Sequence, residues 1–354
     1  MEVIKEDINA ALILPSDARW NESLRRLDHD FYHLPEYAVL CSQDGDAKPL
    51  AFVAKADDQE IFIPFLLREI PKTLTGGVRF YDLTSCYGYP SPLFSRALDL
   101  NFLKQSFEIL HGMANDLKIV SGFLRLHPLL MPPLDWIRGL GVLVYHGETV
   151  WIDLETNQDI VRTFRKGHRE TLRKLSAEKY SVELNNWNQY DQFISIYTDT
   201  MKRLNASPSY FFPQNYFGRL RDALGKKLFL CTVISQSGEF ASGSLFTKVG
   251  GFCQYHLAGT AETHLRMAPG KLIIAHIAHE FQRLGARWLH LGGGVGGKED
   301  SLFKFKAGFS DKRAPFYTLR IVFDAEKMRN FTQNTAGTAT NNEFFPPYRF
   351  SKAA

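Results

Sequence analysis

The chain has 354 residues, of which 45% are hydrophobic and 23% charged, with a formal net charge of +4. That composition supplies a packed core, excludes a disordered or collagen-like chain, and at this length suggests two domains. The overall charge is too small to mark a general nucleic-acid binder.

Four well-separated cysteines, Cys41, Cys86, Cys231 and Cys253, form neither a disulfide framework nor a zinc pattern. Acidic residues at Glu2, Glu6 and Asp7, with no basic segment ahead of an apolar one, argue against a secretory signal. Nowhere do about 18 apolar residues run together, so no membrane span is expected. The expectation is a cytoplasmic protein.

In chain order, Asp17–Asp28 reads as a short helix with Asp17 as its cap and Trp20, Leu24 and Leu27 on one face. Phe31–Leu40, interrupted by Pro35, reads as a loop and a short segment. Pro49–Lys55 and Ile61–Leu67 flank Asp57-Asp58-Gln59, the pattern of an antiparallel hairpin. Val78–Leu83 reads as a third strand, leading into the loop Tyr87–Pro92. A helix over Leu100–Leu117 and a strand over Phe123–Leu126 follow.

The second half repeats this order. Lys227–Ser235 and Ala241–Val249 read as a hairpin, and Phe252–Leu257 as a third strand. A loop at Ala258–Pro269, a helix at Lys271–Leu284 and a strand at Arg287–Leu291 complete it. Ancient duplication is the inference, with two unrelated α/β halves as the alternative. Between the halves, Asn157–Tyr180 reads as mostly helical and amphipathic, and Arg329–Asn342 reads as a flexible polar tail.

The segment Arg162–Lys174 holds six basic residues against Glu170 alone. On one helix, Arg162, Arg165, Arg169 and Arg173 share a face and suit phosphate oxygens. A solvated charged face is the ordinary alternative. Gly292-x-Gly294-x-x-Gly297 follows a strand but is not a dinucleotide fingerprint, because the preceding strands are hairpin-connected and no βαβ unit follows. It reads as a glycine-rich turn at the start of the helix Ser301–Ala307, suited to an anion or a carbonyl oxygen, or simply as a turn needing positive φ. His276 and His279, with Glu280, have neither zinc-protease order, so no metal is expected. No Gly-x-Ser-x-Gly elbow is present. Lys304 and Lys306 cannot share a helical face, so one is expected to point inward beside the turn, where it would stabilise developing negative charge; a surface lysine beside buried Phe305 and Phe309 is the alternative.

Leu291-Gly292-Gly293-Gly294, Asp300-Ser301-Leu302 and Phe305-Lys306-Ala307-Gly308-Phe309 together resemble the C-terminal signature of the FemAB-like branch of the GNAT acyltransferases. The basic helix at Phe164–Leu175, the strand end Tyr255-His256-Leu257-Ala258-Gly259, Tyr87-Gly88-Tyr89 and Phe123–His127 add to that resemblance. It implies two tandem GNAT-like domains of α/β (α+β) class, each a largely antiparallel sheet flanked by helices. These would span 1–150 and 151–328, with the active site in the second and a polar tail over 329–354.

The resemblance further implies transfer of an acyl group to an amine on a sugar or cell-envelope precursor, from a thioester or from aminoacyl-tRNA. Tyr255, His256 and Lys306 are then the catalytic candidates. Arg165, Arg169, Arg173, Gly292, Gly293, Gly294, Ser301 and Phe305 are candidates for an anionic, small or lipid-linked substrate. Arg266, Gly270 and Lys271 are candidates for the donor phosphate. Acyl-CoA is a possible co-substrate, but Pro269 lacks an N–H where a coenzyme-A loop usually places its first glycine.

Overall fold

The computed structural model describes every residue except 6–7, 44, 157, 336–343 and 351–354. It divides the chain into two compact units, Met1–His146 with Phe316–Ala354, and Gly147–Pro315.

The first unit opens with strands β1 (Glu2–Lys5) and β2 (Ile8–Ile13), then helix α1 (Ala18–Arg26), which Asp17 caps by accepting the Arg19 N–H at 3.0 Å. Sequence reasoning expected neither strand, because four to six residues beside an acidic terminus carry little periodicity. Pro35 starts helix α2 (Pro35–Ser42) rather than breaking it, since proline has no N–H to lose in a first turn. The expected hairpin forms as β3 (Lys48–Ala56) and β4 (Gln59–Glu69). A short helix α3 (Lys72–Thr75) precedes β5 (Tyr81–Thr84), and β6 (Leu93–Phe94) adds to β4. Helix α4 (Leu100–Asp116) leads to β7 (Ile119–Arg125) and the short α5 (Leu134–Arg138).

The chain leaves this unit within β8 (Val142–Asp153). In the second unit α6 (Lys166–Ala177), β9 (Ser181–Leu184), α7 (Tyr190–Arg203) and α8 (Gln214–Leu224) precede the hairpin β10 (Leu228–Ile234) and β11 (Phe240–Val249). Then come β12 (Phe252–Thr260), α9 (Gly270–Arg283), β13 (Trp288–Gly292) and α10 (Ser301–Lys306). Strand β14 (Arg313–Val322) returns the chain to the first unit, where α11 (Ala325–Asn334) follows.

The sheet of the first unit runs β1-β2-β3-β4-β5-β7-β14, antiparallel except for the parallel pair β5–β7. That of the second runs β8-β13-β12-β11-β10-β9, antiparallel except for β12–β13. Each unit is therefore a hairpin, a third strand, a crossover helix and a strand parallel to the third. The crossover helices bury their apolar faces: Phe102, Phe107 and Leu110 of α4 in one core, Ile273, Ile277 and Phe281 of α9 in the other.

Two expectations change. The four arginines do not share one helix: a 3-10 turn at Ile160–Thr163 is followed by extended backbone at Phe164 and Arg165 before α6 begins. Arg162 thus leaves the arginine stripe. The expected tail begins inside α11, where Phe331 is buried with Tyr348 and Ile70. Tyr348 and Arg349 reach Asp82, a fully buried carboxylate that Arg68 also contacts at 2.8 Å. The parts of that stretch at 336–343 and 351–354 lie outside the described residues.

Candidate active site

In the second unit β12 and β13 pair at Phe252↔Trp288, Cys253↔Leu289 and Gln254↔His290, and no further. From Tyr255 onward β12 pairs only with β11, so its other edge opens at the carboxyl end of the parallel pair. A bulge between Tyr255 and Leu257 leaves His256 as the extra residue opposite Phe246 and Leu245. Bulges of this kind re-aim side chains and backbone groups beside a site. His256 is half-buried there. The Tyr255 ring packs 5.2 Å from that of Phe246, and burial pushes its hydroxyl up to about 12, so it stays protonated.

Lys306 is the inward lysine and Lys304 the outward one, as their spacing required. The Lys306 ammonium donates to the Gly293 carbonyl at 2.7 Å, immediately beyond the end of β13. Burial pulls its pKa from 10.5 down to about 8, with Asp300 acting in the opposite direction. A lysine in this state exchanges its proton near neutral pH.

The glycine-rich turn is held by the chain's own carboxylate. Asp300 accepts the Val295 N–H at 2.9 Å and the Phe303 N–H at 2.8 Å, capping α10. Burial raises the Asp300 pKa, but these backbone donors outweigh it and keep the carboxyl below its ordinary range. The anion place anticipated at the start of this helix is thus filled by Asp300. Gly292, Gly296 and Gly297 have positive φ, so the turn reading applies to this stretch. Gly293 supplies the carbonyl for Lys306, and Gly294 lies against the Lys298 carbonyl. Ser301 is exposed at the first position of α10.

A second layer surrounds Phe305. His168, fully buried on α6, accepts from Arg165 Nε at Nδ1 (3.1 Å) and donates from Nε2 to the Phe305 carbonyl (2.9 Å). Burial lowers its pKa to about 4, the Phe305 carbonyl opposing and Lys271 and Arg165 reinforcing. The imidazole is neutral, with its tautomer set by these two bonds. Gly308 makes this approach possible: a Cβ there would lie 2.3 Å from His168 Nε2 and 2.6 Å from Arg165 Nε. The Gly308 carbonyl takes the Arg165 N–H at 2.9 Å. Gly270 abuts the Phe305 ring, and Lys271 donates to Thr171 Oγ1 at 2.9 Å. Burial lowers the Lys271 pKa, and neighbouring Arg165 adds to the effect.

The structure therefore brings together Lys306, Gly293, Phe305, Arg165, Gly270 and Lys271. Arg169 is engaged within the fold: its Nη1 bonds the carbonyls of Phe164 (2.6 Å) and Arg162 (3.1 Å) and so ties the 3-10 turn to α6. Arg173 stands exposed two helical turns beyond Arg165, about 12 Å along the axis. Arg266 is exposed in the turn Glu262–Met267. His279 pairs with Asp159 at 3.1 Å. Among the described residues no group of three or more His, Cys, Asp or Glu side chains is placed to hold a metal. Sequence reasoning missed two residues of the site, His168 and Asp300. A histidine among the apolar positions of a basic helix, and an aspartate three residues before Phe303, were the available signals.

At the start of α9 few backbone donors remain open. Ala268 adopts a left-handed conformation, and its carbonyl takes the Lys271 N–H at 3.1 Å. The Pro269 carbonyl takes the Leu272 N–H at 2.9 Å, and Pro269 itself has none.

The second unit therefore combines a parallel strand pair that opens at its carboxyl end with a buried lysine just beyond the end of β13. Residues 162–304 match the model of the GNAT acetyltransferase domain. The chain carries a GNAT acyltransferase domain, and its first unit repeats the same topology, making a tandem of GNAT-like units. Among solved structures, FemX shares the fold at a TM-score of 0.63 and 13% identity, over 84% of this chain and 91% of that one. L-PGS from Bacillus licheniformis follows at 0.53 and 13%, over 88% and 93%. A domain assigned to a lysylphosphatidylglycerol synthetase of Agrobacterium fabrum aligns at 0.50 and 12%, over 80% and 86%. No curated protein sequence matches the chain. Among the described residues no helix is long and apolar enough to cross a membrane.

Proposed function

We propose that the second unit transfers an acyl group, acetyl being the simplest case, from an activated thioester to an amino group on a phosphate-bearing sugar or cell-envelope precursor. The observation that carries this reading is a parallel strand pair that opens after Gln254, with the buried Lys306 held at the Gly293 carbonyl just beyond the end of β13. Backbone N–H groups near Tyr255–Ala258 polarise the acyl carbonyl. The neutral amine attacks the carbonyl carbon and the C=O π pair moves onto oxygen. His256 or a water accepts the proton the amine releases. The tetrahedral intermediate collapses, the carbon–sulfur bond breaks, and the Lys306 ammonium stabilises the departing thiolate. Arg165 and Lys271 hold the phosphate-bearing part of a substrate, as side-chain cations suited to its oxygens. The lysylphosphatidylglycerol synthetase domain of the same fold is in keeping with a substrate of this class.

One observation favours a second donor, an aminoacyl ester of tRNA. With the Lys271 and Leu272 amides already bonded and Pro269 lacking one, the α9 terminus is poorly equipped to grip a diphosphate through its backbone. In that case the leaving group is a ribose hydroxyl and the exposed bases of α6 meet the nucleic acid.

Thermal-shift titration with acetyl-CoA, alongside deacylated CoA, separates the donors. A ligand at 100 times its Kd stabilises the fold by about 2.7 kcal/mol. A saturable shift that disappears in Lys271→Ala supports the thioester. Absence of any shift, with turnover from aminoacyl-tRNA that weakens steeply with salt, supports the second reading. Absence of turnover with either donor refutes catalysis and leaves a protein that only binds an anion.

A further inference from the structure

In the first unit the outer face of α4 is built like one half of an interface. The helix buries Phe102, Leu103, Phe107 and Leu110 and turns the row Leu100, Lys104, Glu108 and Gly112 to solvent. These four stand at successive i, i+4 intervals, one of the ridges by which helices pack together. Leu100 is 69% exposed, more than any other large apolar side chain among the described residues. Between this ridge and α5 runs a groove of about 520 Å³, with Leu103, Phe107 and Trp136 as its apolar lining.

Gly112, which also lines the groove, has no explanation within the chain. The helix continues past it to Asp116, its φ is not positive, and a Cβ there would meet nothing within 4 Å. Glycine is the poorest helix former after proline, so alanine would serve the helix alone better. The residue leaves room on the surface of α4 that this chain does not fill.

The order of residues along the ridge favours a second copy of this chain. Lys104 and Glu108 flank a midpoint, and Leu100 and Gly112 lie equally far on either side of it, about 9 Å along the axis. An identical helix running antiparallel across that midpoint sets Lys104 against the partner's Glu108 twice, and Leu100 against the partner's Gly112 twice. Opposite charges then meet at the centre, and at each end an exposed leucine meets a position without a side chain. The register is specific. A shift by one turn sets lysine against lysine or glutamate against glutamate, and a parallel pair in register does both.

We infer that two copies of this chain associate through α4 of their first units, antiparallel about a two-fold axis between Lys104 and Glu108. Each copy uses the same face, so the assembly closes as a dimer. The surface lies wholly in the first unit and includes no residue assigned to acyl transfer, so the inference stands apart from the proposed activity.

Sedimentation velocity of the full chain across micromolar concentrations tests it. The parent is expected to show a reversible monomer–dimer equilibrium. Lys104→Glu gathers four carboxylates at the centre and Glu108→Lys four ammonium groups, and each alone is expected to weaken the dimer by about tenfold or more. Mixed in equal amounts, these two variants are expected to form a heterodimer within about threefold of the parent's affinity, because each chain's central charges then face the opposite sign. Gly112→Leu is expected to abolish association while keeping the parent's helix content by circular dichroism, since the position is exposed and leucine favours a helix. A monomer at every concentration overturns the inference and leaves the groove to a different occupant. It is equally overturned by a dimer that persists in the single charge variants or in Gly112→Leu, or by a mixture of the charge variants that stays monomeric.

Discussion

Replacing Lys306 by methionine should stabilise the protein while removing its activity. Below pH 8 the folded chain carries a buried ammonium whose pKa has fallen from 10.5 to about 8. At about 1.4 kcal/mol per pH unit, that drop amounts to about 3 kcal/mol against the charged form. Methionine fills a similar volume without charge, but forfeits the bond to the Gly293 carbonyl, worth about 1 kcal/mol. The net gain at pH 7 is therefore about 2 kcal/mol, or several degrees in the melting transition of the second unit. The sign follows from proton binding. Between pH 8 and 10.5 the unfolded lysine keeps its proton and the folded one has lost it, so the parent gains stability as pH rises through this window. The advantage of Lys306→Met should accordingly shrink across it. Scanning calorimetry of both proteins at pH 7 and pH 10 provides the measurement. A variant less stable than the parent at pH 7, or an advantage independent of pH, would show that Lys306 is a structural tie and not a strained functional group.

If the Lys306 ammonium assists the leaving group, turnover should fall about tenfold per pH unit above about 8; a flat profile through that range removes this role. Asp300→Ala strips the cap of α10 and the tie to Val295, and should cost about 1 to 2 kcal/mol in urea unfolding, with a loss of turnover as Gly293 and Lys306 loosen. Gly308→Ala forces a methyl into the His168 ring and should destabilise by about 3 kcal/mol, read from the same unfolding curves. Arg349→Ala leaves buried Asp82 with Arg68 as its remaining cation, and should cost the first unit about 2 kcal/mol; unchanged stability would mean Arg68 alone satisfies the carboxylate.

The elements that were legible in the sequence are those with a strong period or a local stop signal. The hairpin β3–β4, helix α4 and the series β10–β11–β12–α9–β13 all appear within a few residues of expectation. Each combines alternating or helical apolar spacing with a turn of Asp, Gly or Ser, so local chemistry and burial agree. The short strands β1 and β2 lack that redundancy and acquire their identity from pairing, β1 with β2 and β2 with β3. The break before α6 was hidden because Phe164 is apolar at a helical interval, yet it is buried against Phe309, a contact from far along the chain. The site divides in the same way. Lys306 was legible because two lysines two residues apart cannot share a helical face. The roles of Arg169, His168 and Asp300 depend on the carbonyls and amides they meet, and those partners are set by the fold.

The two units show why topology alone does not make an acyl-transfer site. Both contain a strand, a crossover helix and a parallel strand, and in both the pair could separate at its carboxyl end. In the first unit a serine follows the paired residues, short enough for its hydroxyl to take the opposing backbone N–H of Arg125 and hold the strands together. In the second, Tyr255 stands at the corresponding step, packs its ring on Phe246, and is followed by a bulge that carries the chain away from β13. A tyrosine in that position offers no group that can bridge two backbones at strand separation, so the amides of β12 stay open toward whatever enters. Lys306 completes the difference: its buried ammonium donates to one carbonyl just beyond the end of β13, and among the described residues no carboxylate forms an ion pair with it. Such a group is tolerable in a folded protein when a ligand or a developing negative charge is to meet it. The two units thus share a topology and differ at one step, closed by a serine in the first and left open by a tyrosine and a bulge in the second.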